Sequence, residues 1–169
     1  IATQRTYDLF MDESLSWGNV NLPRVRVCGD TRRHAQAQRQ QFAFLAQALI
    51  ADDRMEDAAR VLDRSLYLFP HRNIDFDPPV VLIVQGYFRT GEIEKGLNLA
   101  NKLIDIYERN LLYFESFPAR HRRLLERHIQ EAFSVFMHLR HDMLQGFEEE
   151  SEQLLERLDN LLAARGLFE

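Results

Sequence analysis

From Ala58 to Phe69 the apolar and small residues fall at 58, 61, 62, 65, 66 and 69. That is the i, i+3, i+4, i+7, i+8, i+11 spacing of one helix face. The stripe runs straight into Pro70, which cannot continue a helix. The next start signal is Asp77-Pro78, an acid at the N-cap with proline at the first helical position. One segment earlier Phe42, Leu45, Ala46 and Leu49 repeat the same spacing. Between the two stripes "ADDRMEDA" supplies a turn, in which Asp53 as N-cap and Glu56 three residues on have capping-box spacing. A chain written this way has to fold by laying helices against one another.

The remaining segments extend the pattern. "VVLIVQGYF" has the β-branched content of a buried strand, but its Asp-Pro-Pro start and Thr90-Gly91 stop predict a helix of about three turns. "EIEKGLNLANKLIDIYERN" places Ile93, Leu97, Ala100, Ile104 and Tyr107 on one side. A long helix is predicted from near Pro118 to Gln145 and a last one from Phe147 to Ala164, with Gly146 and Gly166 as their stops. Residues 2–12 read as one short helix, and "SWGNVNLPRVRVCGD" as an irregular connection rich in turn residues.

Helix pairs of this length prompt a search for a repeat. In the tetratricopeptide pattern of about 34 residues, large residues stand at positions 4, 7, 11 and 24, small ones at 8, 20 and 27, and proline at 32. With Pro70 at position 32, those places are taken by Phe42, Leu45, Leu49 and Leu62, and by Ala46, Ala58 and Ser65. The small residues allow close helix crossing. A looser second unit registers on Gly91, with Tyr87 at position 11, Gly96 at 20 and Ala100 at 24, while Val84 and Leu103 replace small residues. A third pair has helices too long for the pattern and reads as a terminal, capping pair. The expected fold is therefore all-α: a tetratricopeptide-like right-handed superhelix of about three antiparallel helix pairs, preceded by an N-terminal helix and irregular loop. Residues 1–30 would form that leading segment and 31–169 the repeat domain, with pairs at about 31–70, 77–113 and 118–165.

"YDLFMDE…WGNVN", "FAFLAQALI", "VLDRSLYLFPHR" and "GYFRTGEIEKG…LANKLIDIYERNLLYF" resemble the C-terminal region of a family of large bacterial membrane proteins. That family joins a multi-helix membrane portion similar to protein O-mannosyltransferases to a tetratricopeptide-like tail. The resemblance covers about Tyr7 to Phe114 and rests most on Trp17-Gly18-Asn19 and Phe69-Pro70-His71. It implies a parent protein in the bacterial cytoplasmic membrane that transfers a sugar from a lipid-linked donor, with this tail on the periplasmic side. The catalytic acids would lie in the membrane portion, so no catalytic residue is carried onto this chain. Cys28-Gly29-Asp30 and the Arg-rich "TRRHAQAQRQ" depart from the family pattern.

Composition and motifs bound the chemistry. A formal charge of −5 argues against general nucleic-acid binding, which needs a basic field. The one cysteine, Cys28, has no CxxC partner for zinc or redox work. No apolar run is long enough to span a membrane. The start at "IATQRTYDLFMDE" has the look of a piece taken from a longer protein. No nucleophile elbow, phosphate loop or dinucleotide fingerprint occurs, and no cofactor is expected. His138 and His141, with Asp142, have helical spacing for a metal, but exposed histidines are the simpler reading and no metal site is expected. His121, His128 and the arginines Arg120, Arg122, Arg123 and Arg127 form a basic patch able to meet an acidic partner, phosphate or lipid head group, with a solvated helix face as the simpler reading.

The working face of such repeats is lined by the first helix of each pair. Here the contact candidates are Gln47, Gln85, Phe88 and Arg89. Ala43 and Gln47 stand where a carboxylate clamp would need Lys and Asn. The expected role is a non-catalytic module that binds a protein or peptide partner or helps present an acceptor. The alternative is a free-standing adaptor of the same repeat class, binding a peptide in its groove.

Overall fold

The computed structural model describes residues 2–166, the side chains of residues 119, 122 and 144 apart, and every regular element among them is helical. The order is α1 (Thr3–Met11), α2 (Gly29–Ala51), α3 (Met55–Leu68), a 3₁₀ turn (Pro78–Val80), α4 (Val81–Arg89), α5 (Ile93–Glu115), α6 (Ala119–Leu144) and α7 (Glu148–Ala163). Two compact units divide the chain, residues 1–96 and 97–169, and the division falls inside α5. The "VVLIVQGYF" stretch is helix, entered through the two prolines of the 3₁₀ turn. Residues 1 and 167–169, the outer ends of the two expected segments, fall outside the described residues.

In the first unit α2 and α3 form a hairpin on which α4 and α1 pack. The apolar stripes meet here: Phe42, Leu49, Val61 and Leu62 are completely buried, and so is Ala58. Ala46 and Ser65 are buried beside them, so each small residue of the stripe sits inside the packing. Two glycines mark closer approaches still. A Cβ on Gly86 would stand 2.7 Å from Leu62 Cδ1, and one on Gly96 would stand 2.6 Å from the Phe88 ring.

The helix ends agree only in part with their sequence signals. Pro70 ends α3 two residues after Leu68, and Gly91, Gly146 and Gly166 take the left-handed conformation at φ 81°, 115° and 72°. Asp53 is not the N-cap of α3. Its φ of 60° makes it the left-handed residue of the α2–α3 turn, and Arg54 precedes the helix with no side-chain cap. Asp77 does precede the 3₁₀ turn, yet it caps nothing with its side chain. Its carboxylate accepts a hydrogen bond of 2.7 Å from Arg39 Nη2 instead. Helix α2 begins at Gly29, two residues ahead of the expected start of the repeat domain.

Arg39 is 1% exposed, on the same stripe of α2 as Phe42 and Ala46. Its Nη1 donates to the carbonyls of Phe69 (3.1 Å) and Ile74 (3.2 Å), and its Nη2 to Asp75 O (2.6 Å) as well as to Asp77. The guanidinium also lies 5.0 Å from the centre of the Phe76 ring. One side chain thus gathers the backbone of residues 69–77, a stretch with no regular structure of its own between α3 and the 3₁₀ turn. Ile74 and Phe76 point into the core, and His71 Nδ1 accepts the Phe76 N–H at 3.0 Å.

In the second unit α6 and α7 pack as a hairpin about Gly146. Its core includes Ala132, Val135, Phe136, Leu139 and Met143 of α6 with Leu158 and Leu162 of α7. Arg140 pairs with Asp159 at 2.5 Å. Arg157 of α7 reaches Asp105 at 2.8 Å and also Glu108, both on α5. The three acids Glu148, Glu149 and Glu150 fill the first turn of α7, where the helix dipole favours them.

Replacing Gly96 with alanine sets a gain in helix propensity of up to about 1 kcal/mol against overpacking of about 1–3 kcal/mol. The clash is with an aromatic ring that is itself buried, so overpacking wins. Thermal unfolding of Gly96→Ala should move down by a few degrees, and an unchanged or higher midpoint would contradict the close packing of Gly96 on Phe88.

Candidate interaction surfaces

Gln47 lies on α2, and Gln85, Phe88 and Arg89 lie on α4, two helices packed against each other. The structure therefore brings the four expected contact residues onto neighbouring elements of one unit. Their surroundings differ. Phe88 is 4% exposed and its ring lies under Gly96, so it serves packing and offers no face to a partner. Gln47 and Gln85 are half-buried and Arg89 is exposed. Ala43 and Ile50, on the same side of α2 as Gln47, are buried. These three side chains, two amides and a guanidinium, are hydrogen-bonding groups suited to backbone amides and not to acid–base chemistry.

The N-terminal segment is held to this unit by polar groups and rings. At the start of α3, Asp57 accepts from Tyr7 Oη (3.1 Å) and Arg54 Nε (2.8 Å), and pairs with Arg60. Arg54 also reaches Gln4 Oε1 at 2.8 Å and lies over the Tyr7 ring. Further on, Arg64 donates to the carbonyls of Phe10 (2.8 Å) and Asp12 (2.9 Å). Phe10 and Trp17 then close over Phe42 and Phe69, with ring centres 4.6–6.0 Å apart. Gly18 and Asn19 are successive left-handed residues, at φ 72° and 55°, the residue types that take that conformation most readily. The Trp-Gly-Asn stretch is thus a ring that seals the hairpin, followed by the turn that brings the chain back. Asn73 secures the return by donating to Val20 O (2.6 Å) and Leu22 O (2.8 Å).

Between this segment and α3 opens a cleft of about 760 Å³, lined by Met11, Trp17, Asn19, Asp63, Arg64 and Tyr67 among others. Sequence reasoning missed it, because it is made by an irregular loop whose course no periodicity announces. Asp63, on its wall, accepts from Tyr87 Oη (2.8 Å) and Lys95 Nζ (2.9 Å). Burial, with the Asp63 hydrogen bond second, pushes the Tyr87 phenol far above its ordinary value, so it stays protonated. The Asp63 hydrogen bond raises Lys95, which stays charged. Neither Tyr87 nor Lys95 is poised near neutrality for proton transfer.

In the second unit Arg120, Arg123 and Arg127 are exposed along one side of α6, with His121 and His128 also exposed. The Arg122 side chain lies outside the described residues. The His128 ring is 5.8 Å from Phe114 at the end of α5. His138 Nδ1 is 2.6 Å from the Ser134 carbonyl and His141 Nε2 is 2.8 Å from Gln145, contacts within their own helix. Among the described residues no group of three potential metal ligands converges, and no helix is long and apolar enough to cross a membrane. Compared with known proteins, the chain matches no family model, no curated protein and no solved structure.

Burial raises the Asp57 carboxyl, but hydrogen bonds from Arg54, Arg60 and Tyr7 together outweigh it and leave the group below its ordinary 3.8. A lowered carboxyl stabilises the fold above its unfolded value and loses that contribution as pH falls through the folded one. Docking of α1 should therefore hold at neutral pH and loosen below about pH 4. Trp17, the single tryptophan, reports on it. Its fluorescence should shift to the red on acidification, and Asp57→Asn should produce much of that shift at pH 7. An Asp57→Asn spectrum matching the parent at pH 7 would show that this cluster does not hold the segment.

Proposed function

We propose that the chain is a non-catalytic helical-repeat interaction module of the tetratricopeptide kind. Its parent would be a bacterial membrane protein similar to protein O-mannosyltransferases, with this tail on the periplasmic side binding a protein partner or helping present an acceptor. The observation that carries the reading is the α2–α3 hairpin. Ala46, Ala58 and Ser65, the three small positions of the register, are all buried, and Pro70 ends the second helix where the pattern has its proline. The stacking of α4 against both helices of the hairpin supports it further, since one such hairpin leaves an apolar face for the next unit to cover.

The units are longer than a plain repeat. Helix α2 starts ten residues ahead of Arg39, the first repeat position, and α5 runs seven residues past Glu108, which stands where the pattern has proline. Without that proline nothing stops α5 until Pro118. On this reading Gln47, Gln85 and Arg89 meet a partner's polar backbone.

A photo-reactive amino acid placed at Gln47, Gln85 or Arg89 in cells should yield the same discrete adduct from all three positions. Placed at Glu152, on the acidic side of α7, it should not. Adducts of equal yield at all four positions, or none at the first three, would contradict the reading.

A further inference from the structure

Helix α6 has 26 residues and its hairpin partner α7 has 16. The turn at Gly146 pins their joined ends, so the ten-residue excess falls at the other end of α6, over residues 119–128. At about 1.5 Å per residue, about 15 Å of helix extends past its partner. Burial agrees, since among the described side chains of α6 the first fully buried one is Ala132. The overhang carries four arginines against one glutamate in a chain whose formal charge is −5. The segment is thus locally basic against that net negative charge.

An overhang made only of charges would be a solvated helix end. This one also carries Leu124, 81% exposed, with Arg120 four residues before it, Arg127 three after, and Arg123 beside it. The Phe114–His128 contact sets the end of α5 alongside, where Leu112 and Tyr113 are 56% and 62% exposed. Protruding leucines and a tyrosine among arginines match the boundary between lipid head groups and acyl chains. There the apolar side chains enter the acyl edge, while arginine stems lie flat and their guanidinium groups reach the phosphates. A negatively charged bilayer attracts each such cation, and it needs no recess to receive a protruding leucine.

We infer that the overhanging start of α6, with the end of α5, docks on an anionic membrane surface through Arg120, Arg123, Leu124 and Arg127. The inference stands apart from the role of the α2–α4 face, and its failure would leave that role untouched.

The test is flotation of the 169-residue chain with phosphatidylcholine vesicles and with vesicles in which a third of the lipid is phosphatidylglycerol. Binding is expected to the second kind only, weakening as salt is raised. The triple variant Arg120→Ala, Arg123→Ala, Arg127→Ala should lose about 100-fold in partitioning, and Leu124→Ser about tenfold. Both should keep the parent's helical circular dichroism and melting temperature, because these side chains are exposed. Absence of binding, or equal binding to both vesicles, would overturn the proposal. So would full competition by poly-glutamate with Leu124→Ser behaving as the parent, which would point to an acidic polypeptide. Lipid-free self-association abolished by the triple variant would overturn it in favour of a second copy.

Discussion

The buried guanidinium of Arg39 is the constraint on which the first unit depends. Desolvating such a group costs several kcal/mol, and a compact core built only of helices has no need of it. Here it answers a different demand. After α3 stops at Pro70, the chain must cross from one hairpin to the next helix through residues 69–77, and their backbone groups have no helix to pair with. Arg39 supplies donors in a fixed fork to three carbonyls and to the Asp77 carboxylate. The crossing is thereby tied to the middle of α2, and the prolines that begin the next helix are set in one place.

Other contacts build outward from that knot. Asn73 holds the return of the N-terminal segment, and Arg32 and Gln36 of α2 reach Asp75 from the exposed side. Trp17 and Phe10 close over Phe42 and Phe69, which flank the knot. The position of α4, and with it of Gln85 and Arg89 relative to Gln47, is a consequence of how this crossing is held. The proposed interaction face rests on the same packing, with the small residues Ala46, Ala58, Ser65 and Gly86 allowing the approach that Arg39 fixes.

Much of this was legible from spacing. The stripes of α2 and α3, the stop at Pro70 and the glycine ends of α4, α6 and α7 follow from periodicity and backbone preference, which act locally. Two local signals misled. Asp53 had capping-box spacing to Glu56, but the tight turn needed a left-handed residue and aspartate tolerates that conformation. Asp77 had the look of an N-cap, but a buried cation claimed its carboxylate. Arg39 stands in the sequence as a charged residue in line with Phe42 and Ala46. Its meaning was not legible there, because its partners lie 30 to 38 residues away in a segment without periodicity. The burial of Phe88 and the cleft beside Tyr67 likewise depend on which elements meet. The arginine patch was legible as charge, whereas its overhang became visible only once the unequal lengths of α6 and α7 were known.

The most direct test of the Arg39 knot is a double-mutant cycle joining Arg39→Gln with Asp77→Asn, read as unfolding free energies from denaturant titration. Groups that share one buried network couple by about 0.5–3 kcal/mol, and the pair should fall in the upper half of that range. Effects that simply add, to within about 0.5 kcal/mol, would mean that Arg39 and Asp77 act separately and that the crossing between α3 and α4 is held by something else.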